Sequence, residues 1–539
     1  MFAGDPNRIG RDLEDIRKVT KADVMRVYQQ YVKGRPAVVL SVLPKGGTMA
    51  PAAPDNYAVD STHYTAPNYG YAGLVYHKAK DNFDRNVMPK SGPAVEVKVP
   101  EFWTAQRSNG LKLIGTNTKE IPAVSISVSI EGGGLWAALD STKAGLAGVV
   151  AQMMNDATEH YTAEAMSDAL EKLGSGIQVT ASATQMGVGV FSLTRNLDAT
   201  LELMKERLFH PKFTQEALDR IKQQMQQAFQ QRKTQPAALA SSVFGSLLYQ
   251  PGNTRAIGFG GTEKTIAAIT LADVQNFYDH YISSNLASVQ VVGDVSEEAI
   301  LSRLGFLDGW ATKAVTVPGA DSTGRRFDGK TIYLVDVPHA AQSEIRIGYA
   351  LGVNYEATGL SYRLGLTNYI LGGGFNSRLN LDLREVKGWT YGASSSFAFG
   401  QYGGYWGMAT GVRASATDSA VGESLRDIRE YARHGVTSEE LVFMQHAIGQ
   451  SDALKYETNE QKAGFLAHIQ HYGLRPDYVK RQTGILSAFT KGELDALAVQ
   501  YLDADRMGIL VVGDKQRILP GLQTLGYTIV ELDANGNPL

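Results

Sequence analysis

One helix–strand pattern occurs three times along this 539-residue chain, and any fold must give the three copies equivalent places. Each copy begins with Thr, carries Asp or Glu three residues later, and passes through Tyr to a short apolar run. The copies begin at Thr20, Thr270 and Thr490, with apolar runs over residues 37–42, 287–292 and 507–512. A Thr N-cap with an acid in the first turn predicts a helix, and the apolar run predicts a buried strand.

A second repeat precedes the two later copies. Residues 110–130 and 329–349 each show two alternating strands joined by a turn, and a long apolar helix is predicted after each, over residues 142–154 and 358–371. Strand pairs mixed with helix pairs predict an α+β fold. We expect two homologous modules, each a mostly antiparallel sheet with helices packed on one face.

The repeats divide the chain into four predicted parts. These are a terminal helix–strand remnant of a preceding module (1–47), an extended linker (48–94), a first module (95–318) and a second module (328–539). A lone terminal unit cannot bury its own apolar face, so we expect a fragment or a split gene with something N-terminal missing. The tyrosines of the linker predict that it packs along a surface.

Composition excludes several classes of protein. The net charge of −3 argues against nucleic-acid binding, which needs a basic surface. No apolar run approaches the ~20 residues that span a bilayer, so no membrane span is predicted. The absence of cysteine excludes disulfides, Cys-ligated zinc and thiol nucleophiles, and it leaves the compartment open.

Residues 371–391 contain a Gly-rich loop, a Ser-Arg-Leu, and an Arg and a Tyr seven residues apart. The loop residues are Gly372, Gly373, Gly374, Phe375, Asn376 and Ser377, and the later pair is Arg384 and Tyr391. With the module order, this motif resembles the C-terminal, non-zinc-binding half of the pitrilysin/insulinase family of zinc peptidases, the inverzincins. The resemblance implies that the loop and Arg384 bind substrate, and that Tyr391 donates to the transition state of a reaction centred in another half.

The zinc signature of that family, H-x-x-E-H, is absent. After Gly145-Leu146, the positions of its His, Glu and His hold Gly148, Ala151 and Gln152, which offer no usable zinc donor. The family's third ligand is a Glu, and no Asp or Glu occurs between Asp219 and Glu263. We therefore expect the first module to be degenerate and the chain to bind no cofactor, with zinc held by a partner half.

Two other groups could in principle bind a metal. Residues 156–160 read Asp-Ala-Thr-Glu-His, which would give a D-x-x-E-H site, and His468 and His471 would share one helix face. Neither group has a third ligand in a suitable frame. A solvated helix end and surface or packing histidines are the favoured readings.

The Gly-rich loop and the Arg–Tyr pair also have simpler interpretations. Gly-rich loops before helices can bind phosphate, but this loop lacks the Lys-Ser/Thr of a P-loop and the spacing of a dinucleotide fingerprint. A purely structural turn stays open. Arg384 and Tyr391 taken singly could be a helix-terminal salt bridge and a strand aromatic.

Two functions follow from the resemblance. The first is the non-catalytic half of a zinc metalloendopeptidase, inactive alone, which closes the peptide-degradation chamber over a zinc-bearing partner. That partner would be a separate subunit or a missing N-terminal part, and the heterodimer would lie in the periplasm by analogy. The alternative is a structural or peptide-binding protein like the family's degenerate core subunits. Retention of Arg384 and Tyr391 favours the first.

Overall fold

The computed structural model describes residues 8–43, 49–51 and 97–539, and scattered residues between 65 and 92 (65, 68, 70, 73–75, 77, 82–84, 87 and 92). The tyrosines of the predicted linker lie outside the described residues. The chain forms two compact units, Met1–Pro89 and Lys90–Leu539. No described helix is both long enough and apolar enough to cross a membrane.

The first unit contains two helices, α1 (Arg8–Lys18) and α2 (Lys21–Tyr31). Thr20 caps α2 as predicted, and Asp23 completes a capping box. The strand predicted over residues 37–42 does not form, and these residues are exposed. That prediction was wrong because a strand needs a hydrogen-bonding neighbour, and none pairs with this segment among the described residues.

The second unit contains the strands and most of the helices that the structure describes. The strands are β1 (Trp103–Gln106), β2 (Lys112–Asn117), β3 (Ala123–Glu131), β4 (Gly176–Ala181), β5 (Gln185–Leu193), β6 (Ala287–Gly293), β7 (Thr331–Asp336), β8 (Gln342–Leu351), β9 (Thr390–Gly400), β10 (Gly403–Arg413), β11 (Gly508–Gly513) and β12 (Thr528–Leu532). The helices up to β7 are α3 (Leu146–Met154), α4 (Ala163–Leu173), α5 (Leu197–Phe209), α6 (Gln215–Lys233), α7 (Pro236–Leu247), α8 (Thr254–Ile257), α9 (Glu263–Ala268), α10 (Leu271–Tyr281) and α11 (Glu297–Arg303). The later helices are α12 (Leu360–Asn368), α13 (Arg378–Asn380), α14 (Thr417–His434), α15 (Ser438–Asp452), α16 (Asn459–Tyr472), α17 (Tyr478–Ala488), α18 (Lys491–Tyr501) and α19 (Lys515–Thr524).

Two six-stranded sheets repeat one topology. Their strand orders are β1-β2-β6-β3-β5-β4 and β12-β7-β11-β8-β10-β9, so the last five strands of each correspond one to one. In both sheets the strand after the repeated helix, β6 or β11, pairs in parallel with one neighbour and antiparallel with the other. The α+β class with two homologous modules is confirmed. The exact module boundaries stay a prediction.

The two later copies of the repeated helix begin at the Thr caps that the sequence predicts. Thr270 caps α10 and Thr490 caps α18, each in a capping box with the acid three residues later. Both helices are 11 residues long, like α2, and both end on Tyr. The three copies of the pattern therefore share their helix, and two of them share their strand.

Each module also lends one helix to the other. The helices of each module cover one face of its own sheet, whereas α7 of the first module packs on β8 and β11, and α16 of the second packs on β2, β3 and β6. Apolar clusters lie under both exchanged helices. Lys462, which belongs to α16, also donates from its Nζ to Glu120 Oε1 of the first module at 2.9 Å. The two modules are thus held together by reciprocal packing.

Candidate functional site

The Gly-rich segment begins in one π-helical turn and precedes a second. Helix α12 continues into a π turn over Tyr369–Gly373, and a second π turn, Leu381–Val386, follows α13. Such turns are rare and frequently lie at functional sites. The first turn includes Gly372 and Gly373, the other predicted loop residues lie between the turns, and Arg384 belongs to the second.

Close packing explains Gly372. A Cβ at this position would lie 2.2 Å from Ser395 Oγ and 2.6 Å from Ser395 N on β9. Buried Asn368 holds the same strand, because its Nδ2 donates to the Ser395 carbonyl at 2.7 Å and its Oδ1 accepts from Trp406 Nε1 at 2.8 Å. Gly372 therefore has a structural role, whether or not the turn also contacts a ligand.

The other predicted loop residues differ in how far they are exposed to solvent. Phe375 and Asn376 are exposed and Gly374 is half-buried, whereas Ser377 is buried and its Oγ has no hydrogen-bond partner among the described residues. Gly373 is exposed, and a Cβ there would meet Asn368 at 3.3 Å. Only part of the predicted substrate-binding segment is therefore accessible to a peptide.

Arg384 and Tyr391 lie on either side of a tight turn. Gly388 has a φ of +62°, a conformation that favours glycine. The Arg384 guanidinium lies 4.8 Å from the Phe375 ring centroid, and its Nε is 3.4 Å from Glu385 Oε1. Tyr391 is the second residue of β9 and is 90% exposed. No hydrogen bond joins the two side chains within the part of the chain that the structure describes.

Sequence reasoning missed the ion pair that anchors this region. Arg378 donates to both carboxylate oxygens of Glu440, at 2.8 and 2.7 Å, and to the Gly435 carbonyl at 2.9 Å. The hydrogen bonds that Arg378 donates to Glu440 raise the pKa of Arg378. The Ser-Arg-Leu motif was the available signal, but the partner lies 62 residues away in sequence.

Side chains seal the outer edge of β9. Asn380 Oδ1 accepts from the Ala393 N–H at 3.1 Å, and the Ser395 carbonyl accepts from Asn368. An unpaired sheet edge is a template for adding another strand, and these bonds occupy one backbone group of each residue. An extended peptide that paired with β9 here would have to displace them.

The edge of the first sheet is sealed in the same way. Asn155 follows α3, and its side chain bonds both the N–H and the carbonyl of Val179 on β4, at 2.8 and 2.7 Å. Buried Arg207 donates to the Ile177 carbonyl at 3.0 Å and to Asn155 Oδ1 at 2.7 Å. Burial lowers the pKa of Arg207. A strand added to β4 at these residues would have to displace these bonds.

Helix α3 carries the three positions at which the resemblance would place the zinc-binding motif. Gly148 is half-buried, Ala151 is buried and Gln152 is exposed. On the adjacent α6, Lys222 Nζ donates to the carbonyls of Ala267 and Ile269 at 2.7 and 2.8 Å. These residues do not fit a zinc ion, because they supply neither imidazole nor carboxylate, and Lys222 contributes a cation instead.

Metal analysis of the purified chain provides a direct test of this point. After purification without chelator, we expect zinc well below one equivalent per chain, because the three positions lack donors. One tightly bound zinc per chain would contradict this expectation. A known zinc peptidase prepared in parallel controls for loss of metal during handling.

The acidic and histidine side chains of residues 156–160 form ion pairs or hydrogen bonds with other protein residues. Asp156 accepts from Arg220 at 2.6 Å, and Glu159 and His160 contact different partners, His210 and Glu206. These contacts agree with the solvated reading.

The two histidines of α16 dock that helix rather than converge on one point. His471 Nδ1 lies 3.0 Å from Glu131 Oε1, and His468 Nε2 lies 2.5 Å from the Tyr355 hydroxyl. Burial lowers the pKa of His468. The packing reading of both histidines fits these contacts.

One carboxylate cluster went unnoticed in the sequence. Asp382, Glu423 and Asp427 bring their oxygens within 4.8 Å of one another, with Arg426 in contact with all three. Burial and the neighbouring Asp382 raise the pKa of Asp427 to about 6. Because Asp427 binds its proton more tightly in the folded chain, its contribution favours folding below pH ~4 and is lost as pH rises through about 6.

Replacing Asp427 by Asn should therefore stabilise the protein at pH 8 by about 1–2 kcal/mol and have little effect at pH 4. Urea unfolding at both pH values measures the difference. Glu430→Gln, on the same helix but exposed, is the matched control, with an expected change within about 0.5 kcal/mol. A destabilised Asp427→Asn variant at pH 8 would show that Arg426 fully compensates the buried charge.

Comparison with known proteins gives the family. The family model "Insulinase (Peptidase family M16)" matches residues 113–251, and "Peptidase M16 inactive domain" matches residues 268–448. A Helicobacter pylori protein described as "Non-peptidase homolog YmxG" is 23% identical over 405 residues, covering 74% of this chain and 90% of that protein. "Uncharacterized zinc protease YmxG" of Bacillus subtilis is 21% identical over 358 residues, covering 66% of this chain and 84% of that protein.

Solved structures share the fold. A crystal structure of a peptidase M16 inactive domain from Pseudomonas fluorescens has a TM-score of 0.69 at 23% identity, covering 77% of this chain and 98% of that one. A protease from Helicobacter pylori gives 0.69 at 16% identity, with 77% and 100% covered. Together with the two family models, these similarities show that the chain belongs to the M16 (insulinase) peptidase family and includes its inactive domain.

Proposed function

We propose that this chain is the non-catalytic half of a zinc metallopeptidase, which closes a peptide-degradation chamber over a zinc-bearing partner half. The single observation that carries the proposal is Tyr391, which is 90% exposed at the start of an edge strand. Its hydroxyl makes no hydrogen bond to any other described residue. A tyrosine so placed is available to a substrate held by another polypeptide.

The chemistry of the pair suits peptide hydrolysis. Negative charge develops on the scissile carbonyl oxygen, and the hydroxyl of Tyr391 can donate to it. The fork of donors on Arg384 can hold a substrate carbonyl or carboxylate, and the Phe375 ring supports its guanidinium. Zinc is expected in the partner half, and this chain contributes no ligand to it.

Exposed apolar residues of the first unit are an argument for a partner. Its helix α2 has no buried residue, and Val38, Val39, Leu40 and Val42 after it are exposed. In the two later copies of the pattern the corresponding strand already fills a central place in its sheet. We propose that residues 19–43 complete a module of the zinc-bearing half, either a separate subunit or a preceding part of the same polypeptide, in the periplasm.

A structural or peptide-binding role is the alternative. The description of the Helicobacter pylori relative as a non-peptidase homolog favours it. In that case Arg384 and Tyr391 would hold a peptide without cleaving it, or serve packing alone.

Complex formation tests the proposal. The chain is mixed with the H-x-x-E-H polypeptide encoded upstream in the same frame or in the adjacent gene, and the mixture is examined by sedimentation velocity. We expect a one-to-one complex at micromolar concentration. Deletion of residues 1–47 should weaken it, because α1, α2 and the exposed apolar segment after them are lost. Two independently sedimenting species would contradict the partnership.

A further inference from the structure

A cleft between the two modules has an unusual lining. Its volume is about 1010 Å³, and a second cavity of about 290 Å³ adjoins it, sharing Arg255, Phe259 and Tyr405. The charged residues that line the larger cavity are Arg232, Arg255 and Arg346, with no Asp or Glu among its lining residues. Ligand sites in proteins commonly have volumes of roughly 300–1,000 Å³.

Two of these arginines have no acidic partner. Arg346 on β8 donates to Glu344 at 2.9 Å, which offsets its charge. Arg232 and Arg255, in contrast, have no carboxylate within ion-pair distance among the residues that the structure describes. The first module therefore presents to the cleft two arginines that form no ion pair with a described residue. The nearest acids still act at longer range: a hydrogen bond from Thr323 and, more weakly, the charge of Arg255 lower the pKa of Asp321, and Glu263 lines a smaller cavity together with Arg232.

Aromatic rings hold both guanidinium groups in place. Arg232 lies 5.0 Å from the Phe229 ring centroid and donates to Ser242 Oγ at 3.3 Å. Arg255 lies 4.4 Å from the Tyr249 ring centroid and donates to the Tyr402 carbonyl at 2.6 Å. Each guanidinium has five N–H donors, so each keeps donors free for a ligand.

The opposite wall is a flat sheet surface of small side chains. Ser394 and Ser396 of β9 lie beside Ala409 and Gly407 of β10 in register. The exposed hydroxyls of Ser394 and Ser396 can bond to a ligand backbone. The ring of Tyr405 lies over Gly407, so an extended chain would run along the two serines and beside this ring.

Strand addition at the bonded positions of β4 and β9 would have to displace side-chain hydrogen bonds. Both backbone groups of Val179 are bonded to Asn155, and one backbone group each of Ile177, Ala393 and Ser395 is bonded to a side chain. The face of a sheet is an alternative place to hold a peptide. The cleft offers such a face together with two arginines that form no ion pair.

We propose that this cleft binds acidic peptide segments, with Arg232 and Arg255 pairing to Asp or Glu side chains or to a terminal carboxylate. Charge-assisted hydrogen bonds of this kind are roughly twice as strong as neutral ones. The inference rests on the proposed function, because it identifies the class of peptide that the chamber wall receives.

Binding to the full chain alone, without a partner half, tests the inference. Fluorescein-labelled ten-residue peptides of alternating Glu and Ser, and of alternating Lys and Ser, are titrated and followed by anisotropy. We expect the Glu peptide to bind at least about tenfold more tightly, and its affinity to fall as NaCl rises. Arg232→Gln and Arg255→Gln should each weaken it about tenfold.

Controls separate the possible outcomes. Arg220→Gln, on α6 with Arg232 but paired with Asp156, should leave the affinity unchanged. Thermal melts identify a variant that fails to fold, and Arg232→Gln remains informative because Arg232 bonds only a serine hydroxyl within this part of the structure. An equal effect of Arg220→Gln would place the site elsewhere.

Other results would overturn the inference in distinguishable ways. Equal affinity for the Lys peptide would refute the charge preference and leave the proposed peptide role intact. Failure of both peptides to bind would contradict the peptide-binding wall in the proposed function as well. If pyrophosphate binds with the same dependence on Arg232 and Arg255 while the Glu peptide does not, the cleft is a small-anion site and not a peptide site.

Discussion

Replacing Tyr391 by Phe should lower kcat for peptide cleavage by the reconstituted pair by ~10²–10³-fold. The change removes only the hydroxyl that would donate to the oxyanion, about 3–4 kcal/mol of transition-state stabilisation. Tyr391 is 90% exposed, so the melting temperature should not change. A kcat within a factor of about two of the wild type would show that Tyr391 is an ordinary strand aromatic.

Arg384→Ala provides the companion measurement. Because Arg384 is assigned to substrate binding, its loss should raise KM more than it lowers kcat. Its contacts to Glu385 and Phe375 are local, so the fold should persist. If both variants instead unfold, the pair is structural and the alternative function gains support.

Replacing Gly372 by Ala should produce the largest loss of stability, about 2–3 kcal/mol. The new Cβ would meet Ser395 Oγ at 2.2 Å and the Ser395 backbone nitrogen at 2.6 Å, so β9 or the π turn must move. Urea unfolding of the chain measures the change. Activity would fall with it, because the same strand begins at Thr390, next to Tyr391.

Gly373→Ala is the matched control. Its nearest contacts would be Asn368 Nδ2 at 3.3 Å and the Asn368 carbonyl oxygen at 3.4 Å, both much longer than the 2.2 Å contact at Gly372, so we expect a change of less than about 1 kcal/mol. Equal losses from the two variants would mean that the close approach to Ser395 is not what requires glycine at residue 372.

Local signals explain how much of the fold was predictable. The capped helices at Thr270 and Thr490 and the alternating strand pairs depend on residues close in sequence. The same logic failed for residues 37–42, whose apolar pattern matches β6 and β11 but whose pairing partner is absent from the described structure. A strand's pattern predicts its burial only if a sheet is available to receive it.

Features that depend on distant residues could not be predicted. The equivalent edge of each sheet is filled from opposite ends of its module, by β1 before β2 and by β12 after β11. The exchange of α7 and α16 between modules likewise has no local signal, because an apolar helix face does not identify its partner.

The candidate site also combines features that the sequence predicted with features that it did not. The motif over residues 371–391 located the turn and the Arg–Tyr pair. It did not indicate Asn155, Asn368 or Asn380, which seal the sheet edges through single side-chain contacts. Nor did it indicate that Arg232 and Arg255 line one cleft, since the opposite wall of that cleft comes from the second module.

The cleavage rate of a fluorogenic peptide tests the central claim most directly. It is measured with the zinc-bearing half alone, with this chain alone, and with both together at equal concentration. We expect cleavage only from the mixture, lowered ~10²–10³-fold when the chain carries Tyr391→Phe. Equal cleavage by the zinc-bearing half with and without this chain would contradict the account.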